Sequence, residues 1–269
     1  MIFILIGIAF ILVTIYILWK RRTDELKLEK MLESNRSSTR DLQKSIAGNS
    51  EKLDYVEVKG TSISDNKLIS PFSFTPSVYY KSMIIQVYKK KETFVNQNGQ
   101  KQDRWKSFED IVFDEENYTD FFIEDEDGKV KIDLKGAEIT PEITYESNEK
   151  VQVFKVSERF NEHAELKQKF ENVVSDIKSN IHDKEVTGYQ FKEFSLPLNK
   201  TLFVQGKLTE EKENPKIVRG ESKPLIVSVK SANQIYQNME EKIQKQFFLA
   251  IVCGLGGLVF IFYGIKTLL

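Results

Sequence analysis

Two uncharged apolar runs, one near each end, restrict what this chain can become more than any other feature. Residues 1–19 read MIFILIGIAFILVTIYILW and residues 247–265 read FFLAIVCGLGGLVFIFYGI. As helices, both are long enough to cross about 30 Å of hydrocarbon. The first closes on Trp19 and meets Lys20-Arg21-Arg22, and the second lies between Lys245 and Lys266. Aromatic and basic residues of this kind mark the edge of a bilayer. A cleaved signal would want a charged start, a shorter apolar stretch and a small-residue cleavage site. None of the three is present, so the first run is expected to stay as a span.

The basic residues near the spans predict which side the middle of the chain faces. Seven Lys or Arg lie between Lys20 and Arg40, and Lys230, Lys242 and Lys245 precede the second run, against Lys266 beyond it. In a bacterial plasma membrane this bias puts the middle domain in the cytoplasm. In an organelle the same chain would face another compartment. Overall charge is balanced, with 39 basic and 40 acidic residues, so nucleic acid is not an expected partner. The single cysteine, Cys253, sits inside an apolar run, which excludes an intramolecular disulfide and a zinc site of several thiolates. His163 and His182 are far apart in the chain. No metal or other cofactor is expected.

Between the runs the pattern changes several times. Residues 20–52 hold no aromatic residue after Trp19 and many Lys, Glu, Ser and Arg, which predicts a polar helical stalk fading into a linker. From Tyr55 the chain alternates, with Val56 and Val58 against Glu57 and Lys59, and Gly60 closes the run. A further strand is expected within Ile63 to Ile69. Val78 to Lys90 is rich in β-branched and aromatic residues and predicts a long strand. Asn96 to Gln100 signals a turn. Trp105 to Asp114 alternates with one slip in phase. Phe121-Phe122-Ile123, an acidic Asp-Gly turn and Val130 to Leu134 predict a hairpin. Asp125, Asp127 and Gly128 resemble the start of a calcium loop, but no acid stands where such a loop ends, so the turn is kept.

Strands are also expected at Val151 to Val156, Tyr189 to Leu196, Thr201 to Leu208 and Leu225 to Val229. The apolar residues Phe160, Ala164, Phe170, Val173, Val174, Ile177 and Ile181 step at helical spacing. Ser231 is placed to cap a helix through Ile235, Tyr236, Met239 and Ile243 that runs straight into the second apolar run. The folded part would then be tied rigidly to the second span and loosely to the first. Ser70-Pro71 and Thr75-Pro76 hold their neighbours extended and fix their own φ, which predicts a rigid corner delivering Val78-Tyr79-Tyr80 at a set register. One tyrosine should face the core and its neighbour the other face.

The chain resembles the GIDE or BAM ("beside a membrane") domain of the mitochondrial-anchored RING-type ubiquitin ligase family and its prokaryotic relatives. That pattern, a Gly and then Leu-x-Ser-Pro-x-x-x-Thr-Pro-x-Val-Tyr-Tyr, is met by Gly60, Leu68, Ser70, Pro71, Thr75, Pro76, Val78, Tyr79 and Tyr80. Ser77 replaces the usual cysteine, and Lys81 the usual arginine. Trp105, Phe121, Phe122, Asp125, Gly128, Val130, Asp133, Gly136 and Ala137 match the next blocks. Gly188, Tyr189, Glu193, Leu196, Pro197, Leu202 and Gly206 match a further one. The resemblance implies two flanking membrane helices and, in eukaryotic members, a RING after the second. A RING needs eight Cys and His ligands, and these residues include one Cys and two His. Ubiquitin transfer by this chain alone is therefore not expected, although the family label would be ubiquitin transferase.

The expected fold class is α+β, mainly antiparallel, with one or two packed helices and a flanking transmembrane helix at each end. Its order is membrane helix 1–19, stalk and linker 20–52, β-rich domain 53–231, amphipathic connecting helix 232–246 and membrane helix 247–266. The expected function is a non-catalytic, membrane-anchored interaction or sensing module. The alternative is the membrane scaffold of a ubiquitin-ligase-like system whose RING acts from another chain. Expected partners are the lipid bilayer and a membrane-proximal protein. Tyr79, Tyr80 and Trp105 are the candidate contact residues, because aromatics favour interfaces; core packing accounts for them at least as well. Ala250, Gly254 and Gly257 form a small-residue stripe for close helix packing, with Gly7 and Ala9 as a matching face. A homo-oligomer through that stripe is a further expectation.

Overall fold

The computed structural model describes residues 2–48, 53–96, 99–149, 168, 185–211 and 214–267. The expected strand at 151–156 and helix at 160–181 lie outside them. In chain order the elements begin with α1 (Ile2–Leu32), β1 (Asn35–Arg36), α2 (Thr39–Ile46), β2 (Tyr55–Ile63) and β3 (Leu68–Ile69). Two long strands follow, β4 (Pro76–Val95) and β5 (Lys101–Tyr118), then β6 (Phe121–Asp125), β7 (Gly128–Ile132), β8 (Glu138–Thr140) and β9 (Glu142–Glu149). The chain closes with β10 (Glu185–Pro197), β11 (Thr201–Glu211), β12 (Asn214–Val218), β13 (Ile226–Ser228) and α3 (Ala232–Lys266). The fold is α+β, with a β-rich middle and an apolar helix at each end. It divides into two units: Met1–Gly60 with Ile123–Thr140 and Leu202–Leu269, and Thr61–Phe122 with Pro141–Thr201.

In the first unit, hydrogen bonding passes from β2 to β6, β7, β12 and β11, and β11 pairs with β2 again. A ring closed in this way leaves no exposed sheet edge among its five strands. Most of its pairings are antiparallel, while β7–β12 is parallel, as are the flanking pairs β1–β2 and β13–β8. Alternate residues point inward, so Val56 and Val58, Val130 and Ile132, and Leu202 and Val204 are all buried. Each such side chain is worth about 1.5–3 kcal/mol of transfer free energy. The strands come close at Gly206, where an added Cβ would stand 2.7 Å from Ile217 Cγ2 and 3.0 Å from the Val218 carbonyl oxygen.

Of the stretch expected as a helical stalk and linker, the described residues 20–48 continue as helix to Leu32 and then form β1 and α2. Helix α1 runs without a break to Leu32, β1 pairs with β2, and α2 begins at a Ser38 capping box closed by Asp41. Its few apolar residues are well placed, for Met31 and Leu42 are wholly buried. Met31 packs with Phe203 and Ile226 against Ile235, Tyr236 and Met239 of α3. Below them Gln205 donates to the Met31 carbonyl at 2.6 Å, and Tyr236 donates to Glu57 at 3.0 Å. The first helix is thus tied to the folded unit, as the second is. Helix α3 starts as expected at Ser231, in a capping box with Gln234.

The two long helices run antiparallel and touch along their length. Gly7 lies against Gly257 and Ile261, Gly264 against Phe3 and Ile4, and Ala250 is buried. Phe3 meets Tyr263 edge-on at 5.1 Å and Phe10 stacks on Phe260 at 5.8 Å. A Cβ at Gly254 would meet only Thr14, at 3.6 Å, and Ala9 is exposed. Gly7, Gly257 and Gly264 therefore make the close seam of this pair, inside one chain. Beyond the apolar part Asp24 accepts from Lys242 at 2.8 Å and from Gln246 at 2.9 Å.

The second unit is a sheet in which β4 is central. β5 lies along one edge of β4 and β10 along the other, with β9 beyond β10 and β3 at the start of β4. Strand β5 carries a bulge at Val112, because Ile84 pairs with Phe113 and Ile85 with Ile111, while the ladder from Trp105 to Ile111 is regular and puts Phe108 on the face opposite Trp105 and Ile111. Past Lys89 no third strand accompanies β4 among the described residues, and β4 and β5 continue as a two-stranded ribbon to the turn at Asn96.

Candidate interaction surface

The Ser70–Pro76 corner is held by a carboxylate. Strand β10 alternates, with Tyr189, Phe191, Glu193 and Ser195 inward, so an acid occupies a position whose phase calls for an apolar side chain. Glu193 has no solvent exposure. Its two oxygens accept from the backbone N–H of Phe72 at 2.7 Å and of Ser73 at 3.1 Å. The hydroxyls of Ser82 and Thr144, each at 3.1 Å, and of Ser73 complete the set. Five neutral donors thus surround one buried carboxylate, the arrangement that makes such burial tolerable. Ser70 closes the corner from within: its N–H donates to the Thr75 carbonyl at 3.2 Å, and its Oγ accepts from the Thr75 N–H at 3.1 Å.

This clasp aims Phe72 inward. The ring lies 5.7 Å from Phe191, 6.0 Å from Tyr145 and 6.2 Å from Phe113, and packs with Ile84 and Tyr189. The turn before β4 needs φ of 56° at Phe74, a left-handed conformation that the clasp maintains. The two prolines therefore frame a plug anchored at Glu193, and chemistry at that carboxylate has no open route.

Tyr79 and Tyr80 do not form the expected contact surface. Ser77, Val78, Tyr79 and Tyr80 are all buried in succession, so both faces of β4 are covered here. Tyr79 donates to Glu116 at 3.1 Å; Tyr80 donates to Glu115 at 2.8 Å and accepts from Asn117 at 2.7 Å. Burial and the neighbouring Glu115 carboxylate push the Tyr80 phenol up to about 12, and burial with Glu116 raises Tyr79 as well. Both stay protonated as donors, which is a structural role.

Trp105 lies elsewhere. Tyr79 pairs with Tyr118, whereas Trp105 pairs with Lys91, twelve residues further on, or about 40 Å at strand rise. The far ribbon, residues 89–107, carries six basic and two acidic side chains. On one face Lys91 stands over the Trp105 ring at 5.5 Å. On the other, Arg104 covers Phe94 at 5.1 Å, Lys106 covers Phe108 at 5.2 Å, and Phe108 stacks on Tyr88 at 5.7 Å. Trp105 is 53% exposed and Val95 63%. A two-stranded ribbon is marginal in water by itself, and these cross-strand cation–aromatic pairs support it. The surface is cationic, aromatic and open.

The other residues singled out in the sequence have structural places. Asp125 accepts from the N–H and Oγ of Thr39 and from the N–H groups of Asp127 and Gly128, and so fastens α2 to the β6–β7 turn. Gly60 and Gly206 belong to the closed ring, Gly188 follows the bulge in β10, and the Pro197 carbonyl accepts from Ser62 at 2.7 Å. No group of His, Cys, Asp or Glu among the described residues is arranged to hold a metal ion.

Comparison with known families finds one match. The GIDE family model, described as E3 ubiquitin ligase, matches residues 91–261. The matched span takes in Trp105, the Asp125–Gly128 turn, the Gly188–Gly206 block and most of the second apolar run, and starts after the Ser70–Tyr80 corner. Neither the curated proteins nor the solved structures include a match. With well over half of its length inside that span, the chain belongs to the GIDE family.

Proposed function

We propose that this chain is a membrane-anchored interaction module of the GIDE family, binding a protein partner through the β4–β5 ribbon rather than carrying out chemistry. Two helices long and apolar enough to cross a membrane support the anchoring, and their packed antiparallel pair suits a hairpin through a bilayer. The ribbon is the observation that carries the binding role. It offers an exposed Trp105 among unburied cations, and aromatic and Arg side chains are the usual anchors of interfaces. Its charge selects a partner with an acidic face. A module anchored at both ends meets such a partner at raised effective concentration in the same membrane.

A photo-crosslinking residue at position 105, in membranes of the native host, is expected to capture a discrete partner. The same residue at exposed Val95 should capture that partner too, and one at buried Tyr80 should not. Equal labelling at all three positions, or turnover of a substrate by the purified chain that a single carboxylate substitution abolishes, would overturn the reading. Alkaline carbonate separately tests the anchoring: the chain should stay in the membrane pellet. The family description supports a second reading, a scaffold in a ubiquitin-ligase-like system. Recovery of a RING protein as the partner crosslinked at position 105 would select it.

A further inference from the structure

We propose that a basic cleft in the first unit binds a phosphate group, carried on an anionic lipid headgroup or free in solution. The cleft, of ≈ 300 Å³, lies between the α1 face from Thr23 to Lys30 and the loop of residues 219–224, with Glu138 of β8 at its side. That volume is at the small end of ligand sites and suits a headgroup rather than an acyl chain. Its cations are unequally satisfied. Lys27 is neutralised by Glu138. The Lys30 ammonium donates only to the Ser222 carbonyl, at 2.9 Å, and Arg219 donates to the Gly136 carbonyl at a long 3.4 Å. Neither Lys30 nor Arg219 pairs with a carboxylate among the described residues. Two cations that line one cleft with donors to spare suit a phosphate in charge, against Glu138 and Glu221 in the same lining, and the guanidinium fork suits two oxygens of one phosphate.

Arg219 is placed there by Gly136. That glycine has φ of 71°, and an added Cβ would stand 3.0 Å from Arg219 Nη1 and 3.1 Å from its Cδ. The guanidinium lies across the turn, where a side chain at 136 would have to displace it by a few tenths of an ångström. Across the cleft, Gly220 donates to the Lys223 carbonyl at 3.1 Å and closes the 219–224 loop.

The cleft runs from the headgroup layer out into water. Thr23 and Lys30 stand four and eleven residues beyond Trp19 on one continuous helix, about 6 and 17 Å along it. The headgroup layer reaches about 5–8 Å past the hydrocarbon on each side. Thr23, at the near end of the cleft, therefore stands at headgroup depth and Lys30 about 9 Å outside it, so a phosphate can reach the cleft from a lipid headgroup or from solution. This inference rests on the membrane anchoring proposed above, which carbonate extraction tests independently.

The test uses the full chain in neutral detergent micelles, titrated with phosphatidic acid, with phosphatidylcholine and with inorganic phosphate, and bound species counted by native mass spectrometry. One phosphatidic acid per chain is expected, held at least 10-fold more tightly than phosphatidylcholine. Lys30→Glu with Arg219→Glu should weaken it at least 10-fold, while Arg104→Glu with Lys106→Glu on the ribbon should leave it unchanged. If the charge reversals unfold the chain by circular dichroism, Lys30→Gln with Arg219→Gln provides the same comparison, with a loss of at least 3-fold expected. Unchanged binding in the folded cleft variants overturns the proposal. Inorganic phosphate binding as tightly as the lipid overturns the lipid source and assigns a soluble anion.

Discussion

Two segments of this protein are fastened by a single carboxylate, and they differ in what surrounds it. In the second unit Glu193 holds the Ser70–Pro76 corner with no solvent exposure, every donor around it neutral. In the first unit Asp125 holds α2 through the same kinds of donor, backbone N–H and a threonine hydroxyl, but it remains partly open to water. The chemistry is shared and the dielectric is not. Water can substitute for Asp125 when its partners are lost, and nothing can substitute for Glu193. Glu193 should therefore be central to stability and Asp125 a local pin.

The largest expected effect follows from removing the first. Glu193→Ala leaves buried donors unmatched and frees the Phe72 plug, so urea denaturation of the detergent-solubilised chain should show a loss of about 3–5 kcal/mol. Glu193→Gln keeps the shape but turns an amide N–H₂ towards donors, and about 2–3 kcal/mol is expected. A loss under about 1 kcal/mol for the alanine variant would break the comparison.

Asp125→Ala should cost about 1–2 kcal/mol, and proteolysis should then cut within residues 39–46 before the rest of the chain. Its pH dependence has a definite sign. Partial burial works to raise the Asp125 pKa, and the hydrogen bonds from Thr39, Asp127 and Gly128 outweigh this and hold it below the ordinary 3.8. A depressed folded pKa gives stability that is present above 3.8 and is lost as pH falls through the folded value. The wild-type advantage over Asp125→Asn should hold at pH 6 and shrink below pH 3.8. A difference that grows with acid would contradict the assignment.

A smaller effect, about 1 kcal/mol, is expected for Thr39→Val, which removes one donor from the same carboxylate. Trp105→Ala marks the far end of the scale. Only the ribbon's exposed Lys91 pair is lost there, so stability should move by under about 0.5 kcal/mol while capture of the partner is lost. Unfolding of the chain on that substitution would make Trp105 a core residue.

Much of this was legible in the residues. The apolar runs, the Ser231 cap and the alternation of β4, β10 and β11 were plain, whereas the bulge at Val112 falls between Ile111 and Phe113, whose spacing reads as regular. Glu193 was visible only as an acid in an inward phase, a signal that does not say which donors will meet it. Strand β9, EITYESNE, was hidden because its alternate residues are nearly all polar. Helix α2 carries a local cap signal, Ser38 with Asp41, but it also rests on the buried Leu42 and on Asp125, 86 positions from Thr39, a contact that no local pattern reveals. The burial of both Tyr79 and Tyr80 depends on cover over two faces of a central strand, and a period-two pattern predicts only one.

The unbroken course of α1 and α3 has a mechanical consequence. Each continues from its apolar stretch into the packing around Met31, Phe203 and Ile226 with no hinge between. In a bilayer such a pair behaves as a stiff lever. A change in membrane thickness that tilted it by hydrophobic mismatch would reach the foot of the closed strand ring as torque, the physical route by which lipid composition would act on this unit.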